Sequence, residues 1–390
     1  MTKRVGMEVS LAISEAVKMA DVDVVSAYPI TPQTHIVEDL SKKIAEGDLD
    51  AEFVCVESEH SALSVLLGSA ATGARTFTTT AGQGLELMHE VVYVASSMRL
   101  PIVMVIANRA LSAPLSVWCD HSDAMSVRDT GWIQMFVENG QESVDHVFWA
   151  YRVAEDPEVL LPVMIHVDGF NLTHVVEPVL IPDQEQVERY LPRFEYPYPL
   201  DPDRPVTMGC YGPPYIYAEA RKAHEVALTS AMPALLKGWE EFGEVFGRQY
   251  RPVETYRMEG AKVALMTMGS IGETASMVID ELREEGMDVG LIKLRLWRPF
   301  PFAQLREAVR GLERLVVLDR CLSTGGPGPV CSEVRSALYR EEPRPDVIGF
   351  IAGLGGRDIM PEQLRYMIER AEVIAAEGSD VEYELIGVRE

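Results

Sequence analysis

The sequence has no cysteine pairs of the kind that hold a metal cluster. Cys55, Cys119, Cys210, Cys321 and Cys331 are scattered, and no two form a C-x-x-C motif, so neither an iron–sulfur cluster nor a zinc site is indicated on this chain. Any redox metal must lie on another chain. Basic charge is scarce as well: 35 Lys and Arg stand against 60 Asp and Glu, a net charge of −25. A nucleic-acid partner is disfavoured, because such a face needs clustered cations to neutralise phosphates. The surplus reads as a solvated acidic surface, a poor docking face for another acidic protein. Long apolar runs are missing too. The best, Val91 to Ala107, is broken by Arg99 and Pro101, and MTKRVGMEVS at the start has no apolar core. The expectation is no membrane span, no secretory signal and a cytoplasmic location.

Several signatures are absent. No G-x-G-x-x-G opens a helix after the first strand, no Walker A sequence occurs, and no G-x-S-x-G supports a hydrolase. Gly353-Leu354-Gly355-Gly356 has the wrong spacing for a dinucleotide loop. Gly269-Ser270-Ile271-Gly272 can receive an anion, on a weak signal.

What is present is a chain of 390 residues, 47% apolar and 24% charged, enough for two soluble domains with sizeable cores. Up to about residue 180, apolar runs alternate with helical patterns. Asp23 to Tyr28, Phe53 to Val56, Arg75 to Thr80, Pro101 to Ala107, Met135 to Val137 and Val163 to Val167 read as strands. The run Phe53 to Val56 is taken as a buried strand, with Cys55 a small hydrophobe in it. Such alternation predicts a parallel sheet with helices on both faces and ligands at the carboxyl ends of the strands. Tyr196 to Tyr217, rich in Pro and Tyr, reads as an extended arm, followed by amphipathic helix from about Ala218 to Gly247 with a kink or break at Pro233. A second alternating unit starts at Val263, with strands at Val263 to Met268, Val289 to Leu294, Leu315 to Leu318 and Val347 to Ile351. The expected division is 1–190, a linker arm and helices at 191–258, and a smaller α/β domain at 259–390.

Thr31, Glu57, Glu59, Gly82 and Arg109 all fall at the predicted carboxyl edge. A glutamate beside a helix N-terminus is favoured as the anion, while burial favours the acid, so Glu59 is poised to share a proton with a bound base. On residue type alone, helix capping around Ser58 is the favoured role for Glu57 or Glu59. Arg109 offers a fork for a carboxylate, with an ion pair to a protein acid equally open. Thr31 can donate to a ligand or cap the following helix. Gly82-Gln83-Gly84 permits close backbone approach, and His60 reads as a neighbour. Asp120-His121-Ser122-Asp123 resembles a metal-site fragment, but a hydrogen-bonded turn is the favoured reading and no metal site is assigned.

Together, YPITPQT (Tyr28 to Thr34), VESEHSA (Val56 to Ala62), ARTFTTTAGQGLELMHE (Ala74 to Glu90), ANRALSAP (Ala107 to Pro114), DTGWIQMFVENGQE (Asp129 to Glu142), LRLWRPFP (Leu294 to Pro301) and FIAGLGGRD (Phe350 to Asp358) resemble the α subunit of the pyruvate:ferredoxin oxidoreductase family. The resemblance implies a thiamine-diphosphate-binding fold of pyrimidine type followed by a transketolase C-terminal-like α/β domain. It implies that Glu59 hydrogen-bonds N1′ of the aminopyrimidine and so activates the cofactor. Tyr28, Pro29, Gly82, Gln83 and Gly84 are the implied cofactor neighbours, and Thr31 and Arg109 the implied contacts to the 2-oxoacid.

Thiamine enzymes bind Mg²⁺-diphosphate with G-D-G and a later Asn, and this chain has no G-D-G. Asp168 and Asn171 stand too close together to replace it. The resemblance therefore places that half on a β subunit, with iron–sulfur clusters only on partner chains, among them γ and ferredoxin-like δ subunits. The implied reaction converts pyruvate and coenzyme A to acetyl-CoA, CO₂ and reduced ferredoxin. A branched-chain or aromatic 2-oxoacid is the alternative substrate, and a non-catalytic scaffold the alternative of another class.

Overall fold

Each apolar run named above becomes a strand, within a residue or two at its ends, because strands buried on both faces of a parallel sheet need near-continuous apolar sequence. The computed structural model describes residues 2–378 and 382–389. The first half comprises β1 (Lys3–Glu8), α1 (Val9–Met19), β2 (Val24–Ala27), α2 (Thr34–Glu46), β3 (Glu52–Cys55), α3 (Glu59–Ala71), β4 (Thr76–Thr80), α4 (Gly82–Leu87), α5 (His89–Ser97), β5 (Val103–Asn108), α6 (Ser122–Ser126), β6 (Ile133–Phe136), α7 (Gly140–Ala154), β7 (Val163–Asp168), β8 (Val176–Ile181) and α8 (Gln184–Tyr190). Helices α9 (Pro214–Ser230) and α10 (Met232–Phe246) follow the Pro-rich arm. The second half holds β9 (Val253–Tyr256), β10 (Val263–Thr267), α11 (Ile271–Glu284), β11 (Val289–Leu294), β12 (Leu296–Arg298), α12 (Phe302–Ala308), β13 (Arg314–Asp319), α13 (Pro329–Leu338), β14 (Asp346–Ile351), α14 (Pro361–Glu377) and β15 (Tyr383–Leu385). Among the described residues, no helix is long and apolar enough to cross a membrane.

The larger sheet runs β12-β6-β7-β5-β4-β2-β3 and is parallel except for β12. Alternate residues of its central strands feed two cores. Val103, Val105 and Ile165 join α1, α7 and α10 on one face, and Ile102, Met104 and Met164 join α3, α4 and α5 on the other. From β2 the chain moves outward to β3, and from β4 it moves the opposite way to β5. The gap between β2 and β4 is thus a topological switch point, where such sheets bind ligands beyond the carboxyl ends of their strands.

Three local expectations are corrected. The run Phe53 to Val56 is not a buried strand: β3 is the edge of the sheet, paired only with β2, and Cys55 is exposed. The arm ends before Pro214, four residues earlier than expected, because proline is tolerated in the first turn of a helix. The helical break falls at Ala231, which leaves Pro233 in the first turn of α10.

The second sheet, β15-β14-β13-β10-β11-β9, is parallel except for β9. It is tied to the first by β12, whose Trp297 is fully buried and whose partner is β6. Arg295, beside β12, bonds Glu142 of α7 and Glu254 of β9.

Candidate active site

The site is built on the loops that leave β2, β3, β4 and β5. Beyond β3 the backbone reaches Ser58 in extended conformation (φ −161°, ψ 163°), and the Ser58 hydroxyl accepts from the Ser61 amide at 3.2 Å. Ser58 therefore caps α3, and neither glutamate is needed for that task. Glu57 is exposed and His60 half-buried. Glu59 opens the helix with 5% of its surface accessible. Its carboxylate has no hydrogen bond or ion pair among the described residues. A buried carboxylate without a donor is costly unless a ligand completes it.

Gly84 of α4 packs directly beneath that carboxylate. A β-carbon at Gly84 would lie 2.5 Å from Glu59 Oε1 and 2.6 Å from Thr80 Oγ1. The Thr80 hydroxyl is itself buried without a partner, as is Gln83 Oε1. Orphaned polar atoms around a glycine cradle fit a flat heteroaromatic group with its own donors and acceptors. Gln83 is anchored through its Nε2, which donates to Ser112 Oγ at 2.9 Å.

Two residues earlier, Gly82 takes a left-handed φ of 44°, a conformation glycine adopts at little cost. A β-carbon there would sit 3.1 Å from Cγ and Cδ of Arg109, so the stem of Arg109 runs along the turn. The Arg109 guanidinium donates to two backbone carbonyls, Ser116 O from Nε and Thr31 O from Nη1, each at 3.0 Å. It is 7% accessible. Burial lowers its pKa from the ordinary value, with Asp123 opposing, and an arginine stays charged through such a shift. The alternative of an ion pair with a protein carboxylate is not realised: Arg109 has none among the described residues.

Thr31 reaches Arg109 through its carbonyl, and its hydroxyl caps nothing, since the N-cap position of α2 is Gln33. Gln33 Nε2 donates to Tyr28 O at 2.8 Å and closes the loop around Pro29 and Thr31. Tyr28 and Pro29 are exposed at the rim. The structure thus brings Arg109, Thr31 and Gly82 together, joins Glu59 to them through Gly84, and leaves Tyr28 and Pro29 at the edge.

The 120–123 segment is a hydrogen-bonded turn. Asp120 Oδ1 accepts from the Ser122 amide at 3.0 Å, and Asp120 Oδ2 from the Gly355 amide at 3.0 Å. Cys119, His121 and Asp168 have ligand atoms within 4.8 Å of one another, yet Asp168 is committed elsewhere. It accepts from His121 Nε2 at 2.8 Å, from the Ser270 amide at 3.0 Å, from the Ser270 hydroxyl and from Arg320. Burial pushes its carboxyl pKa up, but Arg320 and His121 outweigh it and hold the group well below the usual carboxylate range. The anion received by the Gly269–Gly272 turn is therefore the protein's own. Sequence reasoning missed Asp123 and Arg320. Asp123 was visible only as part of the DHSD turn, and no local signal marked Arg320.

Comparison with known proteins finds relatives over most of the chain. Residues 15–234 match the family described as pyruvate flavodoxin/ferredoxin oxidoreductase, thiamine diphosphate-binding, and residues 261–364 match pyruvate:ferredoxin oxidoreductase core domain II. Pyruvate synthase subunit PorA of Methanothermobacter thermautotrophicus is 49% identical over 93% of each chain. Ketoisovalerate oxidoreductase subunit VorA of Pyrococcus horikoshii is 43% identical over 94% of this chain and 93% of its own. Among solved structures, the 2-oxoglutarate:ferredoxin oxidoreductase of Magnetococcus marinus superimposes with a TM-score of 0.71 at 19% identity, covering 95% of this chain and 65% of that one. The last is a likeness of fold.

Proposed function

This chain belongs to the pyruvate:ferredoxin oxidoreductase family, and on that premise we propose that it is the α subunit of an enzyme that oxidatively decarboxylates pyruvate. The observation that carries the reading is Glu59, a buried carboxylate without a protein partner, held at a helix N-terminus against a glycine that leaves room for a ligand. When bound, thiamine diphosphate supplies the nucleophilic carbon and the electron sink for the decarboxylation. Glu59 holds a proton at N1′ of its pyrimidine, in a setting dry enough for a carboxyl group to share it. The Gly82–Gly84 turn brings backbone close to the ring, with Gln83 beside it. The free Nη2 of Arg109 takes the 2-oxoacid carboxylate, and the unengaged hydroxyl of Thr31 takes the keto oxygen.

This chain offers no second half to the cofactor site. Asp168, the acid in Asp168-Gly169-Phe170-Asn171, is occupied by Arg320 and Ser270, so Mg²⁺ and the diphosphate bind on a β subunit. With no cluster-binding cysteine motif here, the electrons leave through clusters on partner chains, including a ferredoxin-like δ subunit, towards ferredoxin. Coenzyme A accepts the acyl group. The acting species is the assembled complex.

Glu59→Gln in the assembled complex is expected to cut turnover by about 10²- to 10⁴-fold, the usual reach of a lost acid–base group. Unchanged turnover would favour the scaffold reading. The kinship to a ketoisovalerate enzyme keeps a branched-chain substrate as the second reading. Turnover of pyruvate, 2-oxoisovalerate and phenylglyoxylate side by side separates them, and negligible activity on pyruvate rejects the first.

A further inference from the structure

Asp123 lies between the two halves of the site and is fully buried. Its Oδ2 accepts from the Gly82 amide at 3.0 Å and from the Arg109 amide at 2.9 Å. Its Oδ1 accepts from Asn108 Nδ2 at 2.9 Å and from the Ala124 amide at 2.8 Å. One oxygen thus joins the end of β5, where Arg109 begins, to the first residue of α4, whose Gly84 lies against Glu59. A carboxylate close to an arginine ordinarily takes its fork in a bidentate pair. Here the carboxylate is consumed by three backbone amides and the Asn108 side chain, and the guanidinium keeps a free amino group.

We propose that Asp123 is a positioning residue: it fixes Arg109 and the Gly82–Gly84 turn in one register, so that the grip on the 2-oxoacid carboxylate and the slot beside Glu59 are set together. This rests on the assignment of Arg109 to the substrate carboxylate. Asp123 touches no substrate atom itself. Its effect passes through the Arg109 backbone to the guanidinium, which Ser116 O and Thr31 O then aim. The Ser116 loop is held in turn by the second half of the chain, since Ser116 Oγ and Asp120 both bond Gly355. Arg109 is therefore positioned from beneath by Asp123 and from above by the Gly353–Gly356 turn.

The test is a double-mutant cycle in the assembled complex, with KM for pyruvate and for coenzyme A as readouts. Asp123→Ala removes the acceptor of both amides and is expected to raise KM for pyruvate by about ten- to a hundred-fold, the scale of lost hydrogen bonds to a charged group. KM for coenzyme A should move far less. Asp123→Asn keeps an acceptor oxygen and should give a smaller rise. In an Arg109→Ala background, Asp123→Ala should add little, because coupled groups are not additive. Additive effects, equal effects of Ala and Asn, or an unchanged KM for pyruvate would overturn the proposal. Should Asp123→Ala not assemble, the cycle is run with Asp123→Asn, and a normal KM for pyruvate in that variant overturns it. If Arg109→Ala itself leaves KM for pyruvate unchanged, the substrate assignment of Arg109 fails instead.

Discussion

Gly84 lies in helical backbone, so a methyl group there meets a steric obstacle and no conformational one. The obstacles are the Glu59 carboxylate and the Thr80 hydroxyl, 2.5 Å and 2.6 Å from where the β-carbon would stand. Gly84→Ala is expected to fold, since alanine favours a helix by about 1 kcal/mol over glycine, and to displace Glu59. The predicted outcome is a complex with normal melting behaviour that loses thiamine diphosphate on gel filtration and has low turnover. Retained cofactor with full activity would mean that Glu59 does not need this slot. Gly82 carries the opposite argument. Its φ of 44° is strained for any side chain, so alanine there perturbs the turn itself. At this scale the sequence already named Glu59, Arg109 and the two glycines, because charged groups and glycines at strand ends are locally visible. It did not reveal that Arg109 lacks a protein carboxylate. That depends on where Asp123 spends its lone pairs, and Asp123 is fourteen residues away.

Among the elements, α3 is the one on which the proposed chemistry depends. Its first turn is held by a single side-chain cap, Ser58 to Ser61, and its first residue is Glu59. Ser58→Ala should destabilise the chain by about 1 kcal/mol and loosen cofactor binding, because the frayed turn is the one that presents Glu59. Titration of thiamine diphosphate into the variant complex checks this, and a stability loss with unaltered affinity would separate the cap from the site. The helix was legible from its sequence, and its cap was weighed there. The position of β3 was not. An apolar tetrapeptide reads alike at the centre and at the edge of a sheet, and only strand order, set by contacts with β2, distinguishes them.

Across the whole molecule the two halves are locked by the buried pair of Asp168 and Arg320 and by β12 inserted beside β6. Arg320→Leu leaves the Asp168 charge buried without its cation, which costs about 3–5 kcal/mol. A large fall in the urea midpoint is expected, and a small change would mean that Ser270 and His121 suffice. The pH dependence of stability has a defined sign. Burial pushes the carboxyls of Asp123 and Asp319 up to about 7, whereas an unfolded Asp titrates near ~3.9. Between those values the folded chain binds more protons, so these groups make stability fall as pH rises. Asp168, held low by Arg320, contributes stability that is complete above its unfolded pKa of about 3.9 and lost only in stronger acid. The melting temperature should therefore climb as pH is lowered from about 8 to about 6.5, with Asp319→Asn flattening that rise, while below it the buried imidazoles of His146 and His166, pushed down to about 4 and about 3, oppose any further gain. A curve rising towards pH 8 would contradict this.

What the sequence determined by itself was ten of the fifteen strands among the described residues, with β1, β8, β9, β12 and β15 missed, the carboxyl-edge location of Glu59, Thr31, Gly82 and Arg109, and the lack of any diphosphate-binding motif. These depend on local pattern: continuous apolar runs, glycine pairs, charge beside a helix start. The tertiary structure alone decided which of those groups remain available. Asp168 is removed by Arg320 from the far half of the chain, Arg109 is kept free because Asp123 binds amides, and a three-residue strand at Leu296 crosses into the first sheet. Each of these is a pairing over 14 to 164 residues of sequence. Partners at such separations are chosen by packing and burial across the completed fold, which no local window of residues contains.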